Sequence, residues 1–113
     1  MKIITNPNVV MYDVDGTLVT PFEDGIHLLS DKITITTPYG QEDFVELKHV
    51  TRVLKRQHMQ GHYVIVWSAG GEYWAHTVLK ALKLEPYVEI VTSKPKWYHD
   101  DQDANDFMKR SIP

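Results

Sequence analysis

The chain has 113 residues, 42% of them hydrophobic and 24% charged, with a formal net charge of −3. That length predicts a single domain over 1–113, and the slight acidic excess argues against a general nucleic-acid binder. The absence of cysteine excludes disulfide scaffolds, thiolate metal sites and cysteine nucleophiles.

Residues 1–8 lack the apolar core of a signal peptide, and no apolar run approaches the length of a membrane span. A cytoplasmic protein is the resulting expectation. The first predicted element is the strand VVMYDVD at 9–15, apolar and rich in β-branched residues, stopped by Gly16. Residues 20–45 read differently. KITIT alternates at 32–36, TPYGQED supplies turn chemistry, and FVEL alternates again, which predicts a small β-hairpin flap inserted after the first strand.

A helix follows, with Leu47, Val50, Leu54 and Met59 on its apolar face and Gly61 as its stop. The second strand is YVIVWS, 63–68, ended by Gly70 and Gly71. The second helix runs from about Glu72 to Leu84, with Trp74, Val78, Ala81 and Leu82 sharing a face. YVEIVTS at 87–93 and KWYHDD at 96–101 predict a third and a fourth strand, and a short helix is expected near 104–109. Strands separated by helices predict an α/β domain with a parallel sheet.

Asp13-Val14-Asp15-Gly16-Thr17 carries the most chemistry. Residues i and i+2 of a strand share a face, and ligands of open parallel sheets bind beyond the carboxyl ends of the strands. Two carboxylates placed there can divide labour, one attacking phosphorus and the other moving protons. Their mutual repulsion favours a bound cation.

These residues resemble the first motif, DxDGT, of the haloacid-dehalogenase-like superfamily. Ser68 in VIVWSAGG is similar to its second motif, Lys94 or Lys96 in SKPKW to its third, and Asp100-Asp101 in WYHDD to its fourth. The resemblance spans residues 9–101. It implies a Rossmann-like three-layer α/β/α fold whose four parallel strands run in the order 4-1-2-3, with the flap at 20–45 in place of a cap domain. Residues 95–99 leave no room for the helix the family places there.

The resemblance further implies a Mg²⁺-dependent phosphomonoester hydrolase with an open site. Asp13 would be the nucleophile that becomes an aspartyl-phosphate, and Asp15 the acid and base. Asp13, Asp15, Asp100 and Asp101 would hold the metal, with either of the last two as the direct ligand. Ser68 and the amides of Ala69 and Gly70 would bind phosphate, with Lys94 neutralising charge. A nucleotide or a nucleic-acid terminus is the partner favoured by analogy with the family. Two other classes compete: a phosphorylatable signalling module, and a catalytically quiet scaffold. Ser68 also reads as a plain helix cap, Asp100-Asp101 as part of a solvated acidic run, and the histidines as structural.

Overall fold

The computed structural model describes residues 8–111; most of the stretch read for a signal peptide lies outside them. The elements are β1 (Val9–Tyr12), β2 (Val19–Pro21), β3 (Lys32–Thr37), β4 (Gly40–Glu46), α1 (Lys48–Met59), β5 (Tyr63–Ser68), α2 (Glu72–Ala81), β6 (Ile90–Ser93) and α3 (Ala104–Phe107). They build a three-stranded parallel sheet ordered β1-β5-β6 and a separate three-stranded antiparallel sheet ordered β2-β4-β3. Among the described residues, no helix is long and apolar enough to cross a membrane.

This corrects the expected four-stranded, three-layer Rossmann-like arrangement of order 4-1-2-3. The predicted fourth strand, 96–101, forms no strand. A parallel neighbour needs a crossover of roughly a dozen residues, whereas 96 follows the end of β6 almost at once. Pro95 and the exposure of Trp97 and Tyr98 fit an irregular surface segment.

The layering follows from the strand order. From β1 to β5 and from β5 to β6 the chain steps the same way across the sheet. Right-handed crossovers then put α1 and α2 on one face, and both helices pack on β5. On β5 the alternate residues Val64, Val66 and Ser68 are buried, while Tyr63, Ile65 and Trp67 are only half-buried. Tyr12, in register with Val66, shares the helix face and donates its hydroxyl hydrogen to Gln57 of α1. Burial raises the Tyr12 phenol pKa, against a smaller opposing pull from Arg56.

The expected hairpin flap is larger than two strands. β3 and β4 pair from Lys32↔Val45 to Thr37↔Gly40, and β2 adds itself to the other edge of β4. Ile35 and Phe44 turn inward from this sheet and join Leu18, Leu54, Val66 and Val78 in one hydrophobic cluster. The helix faces also differ in detail. α2 buries Ala75, Val78, Leu79 and Leu82, an i, i+3, i+4, i+7 stripe, and leaves Ala81 outside. Met59 is exposed because it lies five residues past Leu54, roughly 140° further round the helix.

Candidate functional site

The three parallel strands end side by side, and five of the sequence-predicted positions lie where they end. Asp13 follows β1, Ser68 closes β5, Ala69 and Gly70 lead into α2, and Lys94 follows β6.

The Asp13–Val19 turn is held from below. Val14 and Leu18 are completely buried. The Leu18 amide donates to the Val14 carbonyl at 2.8 Å, and the Gly16 amide to the Val19 carbonyl at 2.8 Å. Gly16 has φ +77°, a conformation that glycine adopts without the strain of a Cβ. With Val14 anchored inside, its neighbours are held at the surface, Asp13 half-buried and Asp15 exposed.

The Asp15 carboxylate has a definite partner. Trp74 of α2 donates its indole N–H to it, at 3.1 Å from Oδ2 and 3.3 Å from Oδ1. Trp74 is in turn braced by Phe44 of β4, with ring centroids 5.6 Å apart. A Cβ on Gly70 would lie 3.1 Å from Trp74 Cδ1 and 3.4 Å from Ser68 Oγ, so this glycine lets the loop backbone approach the indole. The sequence places Trp74 only on the shared face of the second helix. No spacing rule links it to Asp15, because the two meet only through the packing of α2 beside the β1 turn.

Ser68 is buried, and its hydroxyl oxygen accepts the Gly70 N–H at 3.0 Å. Its carbonyl accepts both the Gly71 N–H at 3.1 Å and the Lys94 N–H at 2.8 Å. Ser68 thus pins the β5 and β6 loops to each other. Ser93 adds a second tie by accepting the Glu72 N–H at the start of α2, 2.9 Å away. That cap too went unread in the sequence.

Of the two lysines, Lys94 has its backbone tied to Ser68. Its ammonium lies 6.0 Å from the centre of the Trp67 ring, within cation–π range. Trp67 is one step beyond the last β1–β5 pair, Tyr12↔Val66, as Asp13 is on the β1 side. Lys96 lies past Pro95 in the exposed tail.

Asp100 and Asp101 do not join the strand ends through a fourth strand. They sit in the exposed irregular segment, where Asp100 Oδ1 accepts the Gln102 N–H at 3.0 Å in a local turn. Among the described residues, no three His, Asp or Glu side chains come together as a metal group. The four-carboxylate set expected from sequence is therefore not assembled. Asp13 and Asp15 remain as hard oxygen donors. The Asp13 carboxylate, with the backbone carbonyl that the resemblance implies for Asp15, suits Mg²⁺, which commonly takes one or two carboxylates and completes its octahedron with water and substrate phosphate.

Next to the strand ends, a groove of about 450 Å³ runs between the β3–β4 tip and α2. Thr36, Tyr39, Glu42, Gly70, Tyr73 and Trp74 line it.

No protein-family model matches the chain, and no solved structure matches it. It is similar to an uncharacterized 36.0 kDa protein of Orgyia pseudotsugata multicapsid polyhedrosis virus, 32% identical over 89 residues. Those residues are 78% of this chain and 22% of the viral protein, so the chain spans about a fifth of that protein's length.

Proposed function

We propose that this chain is a phosphomonoester hydrolase that works through an aspartyl-phosphate, in the manner of the haloacid-dehalogenase-like enzymes its motifs resemble. The observation that carries the reading is the grouping of Asp13, Asp15, Ser68 and Lys94 where three parallel strands end. Its chemistry is as follows. A carboxylate oxygen of Asp13 attacks phosphorus, and the bond from phosphorus to the leaving oxygen breaks. Asp15 delivers a proton to that oxygen. Water then attacks the phosphorus of the acyl phosphate while Asp15 takes back a proton, and the bond to Asp13 breaks to release inorganic phosphate.

Lys94 and the Ala69 amide offset the phosphate charge, as positioning and electrostatic stabilisation require, while the Gly70 amide is given to the Ser68 hydroxyl. Mg²⁺, held by Asp13 and Asp15, would supply further positive charge against the phosphate dianion.

The test is release of phosphate from a generic aryl phosphate, with Mg²⁺ and with EDTA. Turnover that EDTA removes is the expected result. The place of Asp100 and Asp101 in an irregular exposed segment, with no fourth strand to carry them, favours a second reading, a scaffold that binds phosphate without hydrolysing it. Binding of inorganic phosphate with no turnover on any monoester would replace the first reading by that one.

The reading also gives Trp74 a positioning role. Trp74→Phe keeps a ring against Phe44 and removes the N–H that orients Asp15. The expected outcome is a roughly 10–100-fold fall in kcat with KM nearly unchanged, a fraction of what general acid–base catalysis contributes. An unchanged kcat would take Trp74 out of the mechanism.

A further inference from the structure

We propose that the groove beside the strand ends seats the planar base and sugar of a nucleoside monophosphate, with the phosphate at the 69–70 loop. The proposal rests on the hydrolase reading for the fate of the phosphate, but not for the seating of the base. Gly70 belongs to both places: it lines the groove, and its amide is part of the loop at the end of β5. Trp74 links them again, forming a groove wall while its N–H holds Asp15. A ligand with its phosphate at this loop therefore has its remaining bulk directed along the groove.

The lining chooses the chemistry of that bulk. Tyr73 on α2 is 77% exposed and Tyr39 at the hairpin tip is 95% exposed. Together with Trp74 they give the groove three aromatic side chains, two of them scarcely covered by the protein itself. Flat aromatic surfaces of this kind stack on planar rings. Between them, Thr36 offers a hydroxyl, and Glu42 a carboxylate that can accept hydrogen bonds from sugar hydroxyls or an exocyclic amine.

Charge decides between a mononucleotide and a polymer end. Among the described residues no Lys, Arg or His lines the groove, and Glu42 is acidic. A nucleic-acid strand would carry further phosphodiesters along this surface, and binding them calls for cationic side chains. A single terminal phosphate, held outside the groove by the strand-end loops, meets no such conflict. The volume of about 450 Å³ lies in the range of small-molecule sites.

Adenosine 5′-monophosphate and ribose 5-phosphate make a matched pair of probes for titration of the full chain, followed by calorimetry. The nucleotide is expected to bind at least about 10-fold more tightly, the low end of the gain from one stacked base. Tyr73→Ala will erase that advantage and leave the affinity for ribose 5-phosphate unchanged, whereas Tyr73→Phe will preserve it. Because Tyr73 is mostly exposed, neither change threatens the fold.

Equal affinities, no binding of either probe, or tighter binding of a 5′-phosphorylated oligonucleotide would each overturn the proposal. Phosphate release from both probes, measured separately, keeps the two ideas apart. Base-selective binding without release refutes only the hydrolase. Release with equal kcat/KM for the two probes refutes only the groove.

Discussion

Asp13→Asn will abolish phosphate release from an aryl monoester, a loss of at least about 10³-fold in kcat, while the protein melts at the wild-type temperature. Asparagine matches aspartate in shape but offers an amide in place of the attacking carboxylate, so no acyl phosphate forms. Nothing in the fold depends on the lost charge. Asp13 is only half-buried, and its carboxylate has no hydrogen-bond or ion-pair partner among the described residues. The two halves of the prediction are read by steady-state kinetics and a thermal melt on the same preparation. Full activity in the variant would remove Asp13 as the nucleophile. A large fall in melting temperature would show instead that its carboxylate holds the turn.

Leu18→Ala is expected to have the largest effect on stability, about 2–5 kcal/mol as for other buried Leu→Ala changes. Leu18 is fully buried beneath the turn that carries both aspartates, and its carbonyl accepts the Leu47 N–H at 2.8 Å ahead of α1. The truncation opens a cavity under the Asp13–Val19 turn, at the meeting of the two sheets. Activity will fall along with stability, because the same side chain supports the loop holding Asp15 against Trp74. Met59→Ala is the matched control. Met59 is 77% exposed, and surface changes of this kind stay within about 0.5 kcal/mol. Urea unfolding midpoints at constant slope measure both variants. A Leu18→Ala loss below about 1 kcal/mol would mean that the turn repacks around the missing atoms.

The parts of the fold legible in the sequence were those with a local signature. The runs VVMYDVD, YVIVWS and YVEIVTS contain the three parallel strands, of which the first ends at Tyr12 and the last starts at Ile90. The alternation in KITIT and the Tyr39-Gly40 turn marked β3 and β4. What could not be read was non-local. β2 is three residues long and pairs with β4 only because the Asp13–Val19 turn returns the chain there. The 96–101 segment has a strand-like composition but too short a connection behind it to cross the sheet.

The candidate site divides the same way. Asp13 and Asp15 follow from a strand end and the spacing of two carboxylates, and Ser68 and Lys94 from the family motifs they resemble. The Trp74–Asp15 hydrogen bond and the Ser93 cap on α2 arise from how α2 lies beside two loops, and residue spacing holds no record of that. Asp100 and Asp101 show the converse: a motif match marks them, but the strand expected to carry them is an irregular exposed segment.

The long loop between the partners β1 and β5 also sets an order of assembly. β3 and β4 meet across a tight turn, Thr37 opposite Gly40, and such hairpins close within microseconds. Val9 must find Tyr63 with the whole antiparallel sheet and α1 between them, a search whose entropy cost is paid before any contact rewards it. The hairpin is thus the early-forming unit, completed only when Ile35 and Phe44 reach the common core, and the alignment of the three parallel strand ends comes late. Asp13, Ser68 and Lys94 are neighbours only once that last step is complete. Any chemistry at the strand ends therefore belongs to the finished protein, and a partly folded chain, hairpin intact, carries none of it.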